Sequence, residues 1–196
     1  MRVKDLNKEL LIRQKTIELV VKDGFDGLSM HKVAKAAGVS VNTIYLNFKN
    51  REDLIVQVYL GIVNEMDDML LKGFDVYMNY AEGLKLQWKN RLAYCLKYPL
   101  EAQFAEQLRN TPLYLKVMNL QGRRLSATMQ KFCANAIKNG QLKELTTEVY
   151  WAIAFGPLYQ LIKFHQQKKS MSGKKFALTQ EKLDEAFGQV IIALMP

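Results

Sequence analysis

Apolar residues recur along this chain at three- and four-residue spacing, without sustained two-residue alternation, so the pattern predicts helices and no strands. Leu6, Leu10, Ile17, Val20 and Val21 mark the apolar stripe of a first helix over about 4–22, ended by Asp23-Gly24. Phe25-Asp26-Gly27 forms the connection, and Ser29 is placed to cap a second helix ending near Ala37. Gly38 follows, and Ser40 caps a very short third helix through about Leu46. Asn50, with Glu52 and Asp53 in the first turn, opens a fourth that carries Leu54, Val58, Ile62, Met66, Met69 and Leu70. Further helices are predicted over about 76–96, 100–108, 111–138 with Pro112 at its first position, 146–167 bent at Gly156-Pro157, and 179–194. Gln166–Lys175 reads as a polar, basic loop. The expectation is an all-α chain of about nine helices, a small head over residues 1–50 and a larger helical body over 51–196.

The stretch from Leu28 to Leu54 carries the most information. Val33, Ala34 and Ala37 share one face of the second helix, and the small alanines admit a close neighbour. Gly38 stands where the backbone needs a positive φ to turn sharply, and Val39 then tucks inward to pin the turn. In the third helix Ile44 and Phe48 anchor inward, which leaves Val41, Asn42, Thr43 and Tyr45 pointing outward. Two short helices braced across a tight turn are what placing one of them in a DNA major groove requires.

Charge sharpens this reading. The chain has 28 Lys and Arg against 19 Asp and Glu, a net charge of +9, which favours a polyanionic partner. From Ser29 through Arg51 stand Lys32, Lys35, Lys49 and Arg51, with His31, and no acid interrupts them. Short hydroxyl and amide side chains suit base edges, and lysines suit phosphates.

On these residues, Gly24 to Leu54 resembles the DNA-binding domain of TetR-family transcriptional regulators. The matching features are the glycine before the second helix, Val33-Ala34, Ala37-Gly38-Val39-Ser40, Ile44-Tyr45, Phe48 and the helix start Asn50-Arg51-Glu52-Asp53-Leu54. Asn42 stands where many members carry glycine and Asn47 where histidine is common, so the operator sequence does not follow from the match. The resemblance implies a helix-turn-helix domain over residues 1–50, with a recognition helix from Val41 to Asn47. Its implied phosphate or base contacts are Ser29, Lys32, Ser40, Thr43, Tyr45, Asn47 and Lys49, beside the outward Val41 and Asn42. It also implies a homodimer on a palindromic double-stranded operator, repression as the default, and a ligand-binding and dimerisation domain over 51–196. The dimer surface is expected on Ala152, Gly156, Tyr159 and Leu161 of one helix, and on Leu183, Phe187, Val190, Ile191 and Leu194 of the last, pairing with their symmetry mates.

The body is rich in large, adaptable side chains. Met66, Met69, Tyr77, Tyr80, Trp88, Tyr94, Phe104, Tyr114, Met118, Trp151, Phe155 and Tyr159 either line a cavity between helices or form plain core. In the family such a cavity holds a small-molecule inducer. Scattered acids favour a mostly apolar one here. The fourth helix, joining head to body over Leu54–Leu71, is then the natural lever.

Other classes find less support. No phosphate-binding loop, dinucleotide fingerprint, HExxH or nucleophile elbow is present, and His31 and His165 have no evident partner, so neither an enzyme nor a cofactor or metal is expected. The two cysteines, Cys95 and Cys133, lack metal-ligand spacing and read as reduced core residues of a cytoplasmic protein. The charged start Met1–Arg13 does not read as a signal segment, and the apolar run Val149–Tyr159 is too short to span a membrane. An architectural DNA binder without an effector, or a helical protein–protein adaptor, are the alternative readings.

Overall fold

The computed structural model describes residues 6–120 and 124–196. Among the described residues there are ten α-helices: α1 Leu6–Asp23, α2 Met30–Ala37, α3 Val41–Tyr45, α4 Arg51–Leu70, α5 Tyr80–Lys97, α6 Pro99–Arg109, α7 Leu113–Leu120, α8 Arg124–Lys138, α9 Thr147–Gln167 and α10 Gln180–Leu194. The all-α class is as expected. An isolated β-bridge, Lys169 with Lys175, closes the basic loop after α9.

Three details refine the sequence reading. First, the helix expected over 111–138 includes residues 121–123, which lie outside the described residues; on either side of them are α7 and α8, which belong to different compact units. Second, α5 starts at Tyr80 rather than near Val76, because Asn79 caps it: its Oδ1 accepts the Ala81 amide at 3.0 Å and its carbonyl accepts the Gly83 amide at 2.9 Å. Third, the buried face of α1 is Ile12, Thr16, Ile17 and Val20, while Leu10 is 60% exposed. Those four positions share a face at helical spacing; Leu10, two turns before Ile17 on nearly the same side, is left exposed because none of the described residues packs over it there.

The chain forms two compact units, Met1–Met66 with Tyr98–Gly122, and Asp67–Lys97 with Arg123–Pro196. The unit containing the head therefore also takes in most of α4, with α6 and α7. Its core runs from Ile12, Ile17 and Val20 of α1 through Val33, Ala34, Ile44 and Phe48 to Leu54, Ile55 and Val58 of α4. Phe104 and Leu108 of α6 join that core, and the Phe104 ring meets Phe25 edge-on at 5.4 Å.

In the second unit α5 packs on α8 and α9, and α9 packs on α10. At Gly83 of α5 the Phe132 ring of α8 packs directly on the backbone: a Cβ there would lie 2.5 Å from that ring. That ring is fully buried, stacked on Tyr80 and edge-on to Phe74. The Trp88 indole donates to the Ala154 carbonyl at 2.7 Å, tying α5 to α9. Thr179 caps α10 by accepting the Lys182 amide. Among the described residues, no helix is long and apolar enough to cross a membrane.

Candidate nucleic-acid interface

Local chemistry sets the head. Ser29 precedes α2 in extended backbone and its hydroxyl accepts the Lys32 amide at 3.2 Å, satisfying one of the open donors of the first turn. The Lys32 ammonium donates to the Gly27 carbonyl at 2.8 Å. At the far end Gly38 adopts φ 63° and ψ 32°, the left-handed region that favours glycine. From there its amide donates to Lys35 O at 3.3 Å and the Val39 amide to Ala34 O at 3.0 Å. This pair of bonds is the Schellman termination, and half-buried Val39 packs on the core beneath it.

Ser40 starts α3. Its hydroxyl accepts the Thr43 amide at 3.1 Å and lies 2.8 Å from the Thr43 hydroxyl. The Asn47 side-chain amide donates to Thr43 O at 3.0 Å, extending the satisfied backbone past the last turn. Ile44 is fully buried and Phe48 nearly so, which fixes which way α3 faces.

The outer face is then determined. Asn42 and Tyr45 are exposed, Tyr45 by 52%, and Val41, Thr43 and Asn47 are half-buried beside them. Ser40, Lys32 and Lys49 are exposed and Ser29 is half-buried. Leu46, which the sequence reading did not single out, is 73% exposed at the end of this helix.

The start of α4 completes the arrangement. Asn50 Oδ1 accepts the Asp53 amide at 2.9 Å, while the Asp53 carboxylate reaches back to the Lys49 amide at 2.7 Å, a reciprocal cap. A side-chain hydrogen bond from Gln57 is the largest influence holding the Asp53 carboxyl below its ordinary range, with the Lys49 amide adding to it. Glu52 is held low chiefly by its hydrogen bond and ion pair with Lys116 of α7, at 2.7 Å. Both acids following the basic stretch are thus engaged within the protein. Arg51, half-buried, donates from Nε to Leu28 O at 3.0 Å and from a terminal nitrogen to Phe25 O. The sequence marks Arg51 as a cation within a helix start; it fastens the α1–α2 connection to α4, and only the fold brings those carbonyls to it.

The body candidates fall in both units. Phe104, half-buried Tyr114, exposed Met118 and half-buried Met66 belong to the unit containing the head. Met69, Tyr77, Tyr80, Trp88, Tyr94, Trp151, Phe155 and Tyr159 belong to the second. There Tyr80, Trp88, Tyr94 and Phe155 are buried, Met69 and Tyr159 half-buried, Trp151 41% exposed and Tyr77 82% exposed. Burial is the main cause that pushes the Tyr80 and Tyr150 phenols and the Cys133 thiol upward, so all three stay protonated. The dimer candidates lie on α9 and α10: Ala152 is exposed, Gly156, Tyr159, Leu161, Leu183, Phe187 and Ile191 are half-buried, and Val190 and Leu194 point into the core. His165 is occupied by the fold, its Nδ1 accepting the Leu178 amide at 3.2 Å.

The head's pattern is one that known proteins share. The family model for bacterial regulatory proteins of the tetR family matches residues 12–58. An uncharacterized HTH-type transcriptional regulator of Haemophilus influenzae is 29% identical over 140 residues, 71% of this chain and 73% of its own. The crystal structure of a TetR-family regulator from H. influenzae is similar at TM-score 0.78 and 25% identity, covering 100% of both chains. One from Marinobacter aquaeolei reaches TM-score 0.85 at 23% identity, over 99% of this chain and 98% of that one. Residues 12–58 thus carry the DNA-binding pattern of the tetR family, and the whole chain shares the fold of solved TetR-family transcriptional regulators.

Proposed function

We propose that the chain is a ligand-responsive repressor that binds a palindromic operator as a homodimer and is released by a small, mostly apolar effector held in its helical body. The observation that carries the DNA-binding part is the outer face of α3: Asn42 and Tyr45 exposed, Ile44 and Phe48 locked inward, and lysines on either side without a free acid between them. In this reading Val41, Asn42 and Thr43 read base edges, and Asn47 adds to them. Ser29, Lys32, Ser40, Tyr45 and Lys49 hold phosphates and fix the register.

A single head reads only a few base pairs, so two heads at fixed spacing are needed for specificity. Trp151, Val149 and Ile192, exposed by 41%, 46% and 70%, leave apolar surface on α9 and α10, which supports pairing of these helices with their symmetry mates. Helix α4 is shared by both units and serves as the lever. An effector preferring the head spacing that does not fit successive major grooves lowers operator affinity.

Gel-shift titration with the DNA upstream of the protein's own coding region tests this. Specific binding that weakens with salt supports it, and sequence-indifferent binding refutes the operator reading in favour of an architectural role. Sedimentation at micromolar concentration tests the dimer, a monomer being the contrary result.

A further inference from the structure

Leu46 is the most exposed large apolar side chain described in the unit that contains the head, at 73%. Its amide donates to Asn42 O at 3.0 Å, and its φ of −69° and ψ of −24° are right-handed. It therefore carries the helical register of α3 past Tyr45. In that register Leu46 lies one turn after Asn42 and Thr43, which sets the three on one face. It stands about 200° around the axis from fully buried Ile44. Phe48, nearly buried as well, lies on the Ile44 side. The part of α3 farthest from the core is thus a leucine set beside an amide and a hydroxyl.

A single exposed leucine is ordinary on a protein surface; the position is what distinguishes this one. Ile44 and Phe48 already hold the inward places, so the core has no use for it. Leucine has neither donor nor acceptor, and it makes no hydrogen bond to a phosphate or a base edge. Pressed onto a groove floor, it strips water from whatever lies beneath. That is costly over a carbonyl, a ring nitrogen or an amino group. The base edges of the major groove offer one apolar group, the C5-methyl of thymine, and covering that methyl with leucine is favourable.

We propose that Leu46 is a specificity-determining residue of the recognition helix, reading thymine through its methyl group, so that each operator half-site holds a thymine beneath it. This rests on the reading that α3 enters the major groove, and it adds an apolar contact to the hydrogen-bonding ones assigned to Asn42 and Thr43.

The test uses the full chain and the upstream DNA fragment, prepared once with thymidine and once with deoxyuridine, which lacks only the C5-methyl. Affinities are measured by gel shift at fixed salt, each relative to an unrelated duplex prepared the same way. The unaltered protein is expected to prefer the thymidine fragment about fourfold for each methyl covered, and about fifteenfold when the two heads of a dimer each cover one. Leu46→Ala, a change at an exposed site that leaves thermal stability nearly unchanged, removes that preference. Leu46→Met, apolar and of similar length, keeps part of it. Equal affinity of the unaltered protein for both fragments overturns the Leu46 inference while the operator reading stands, and this comparison needs no variant. A preference that survives undiminished in Leu46→Ala also overturns it, because the methyl is then read by another side chain. If neither fragment binds better than unrelated DNA, the operator reading and the Leu46 inference fall together.

Discussion

The turn at Gly38 decides where α3 faces, and its energetics reduce to one backbone angle. A Cβ built at Gly38 meets no atom within 4 Å, so crowding contributes nothing and the φ of 63° acts alone. Placing an L-residue with a Cβ in this region costs about 1–2 kcal/mol. Alanine also narrows the unfolded ensemble, which offsets about 0.4–1 kcal/mol of it. Gly38→Ala is therefore expected to lose about 1 kcal/mol, a fall in Tm of about 2–4 °C for a chain of this length. Asparagine tolerates the left-handed region, so Gly38→Asn should lose less than alanine, and β-branched Gly38→Val should lose more. Operator binding should follow the same order. Relieving the strain rotates φ and breaks the amide bonds from Gly38 and Val39 to Lys35 O and Ala34 O, which releases α3 from its orientation. Thermal unfolding and gel shift on the three variants check this. If alanine matches the unaltered protein in stability, or asparagine does as much damage as valine, the assignment of strain to this residue is refuted.

Ser40→Ala should cost about 1 kcal/mol in chemical denaturation through the lost cap. Ser40→Asp keeps an acceptor for the Thr43 amide but sets a negative charge toward phosphates, so stability should hold while DNA affinity falls. Lys49→Ala should weaken all sequences alike and flatten the salt dependence of binding by about one unit of slope per head; an unchanged slope removes Lys49 from the phosphate contacts. Gly83→Ala should destabilise by about 1–3 kcal/mol in urea, because its Cβ would lie 2.5 Å from Phe132, a ring already wedged between Phe74 and Tyr80. Helix propensity alone would shift stability about 1 kcal/mol the other way, so the sign of the change decides. Burial, the largest influence on Asp67, raises its carboxyl above its unfolded-state pKa. Its charged form therefore weakens the fold, and the unaltered protein should gain stability relative to Asp67→Asn as pH falls from neutral through that raised pKa. The difference should level off below the unfolded value, and urea midpoints across acidic pH measure it.

The head could be read from the sequence because its determinants are local. Ser29, Gly38, Ser40 and Asn50 each act on backbone within a few residues, through bonds whose partners the chain supplies nearby. The rest depends on partners distant in sequence. Nothing in the α6 segment reveals that Phe104 packs on Phe25, so α6 and α7 read as body although they fold with the head. Leu10 and Ile12 are equally apolar, and only packing decides that Ile12 is buried while Leu10 faces solvent. Arg91 of α5 is buried, 6% exposed, although an arginine on a helix is usually solvated. A signal was there: with Tyr80, Leu84 and Gln87 it follows helical spacing on a single face, and a cation in an inward stripe is unusual.

Two of the donors of Arg51 are spent on the carbonyls of Phe25 and Leu28, yet hydrogen bonding to neutral oxygens removes none of its positive charge. Its field still reaches out over a Debye length, about 8–10 Å in ordinary salt, while the half-buried side chain, fastened at two of its three nitrogens, is not free to follow a strand. On the DNA-binding reading proposed above, such a residue hastens encounter more than it prolongs residence. Capture and retention of a duplex would then be divided among different side chains of the same short segment, and counting positive charges would overstate how firmly the head holds on.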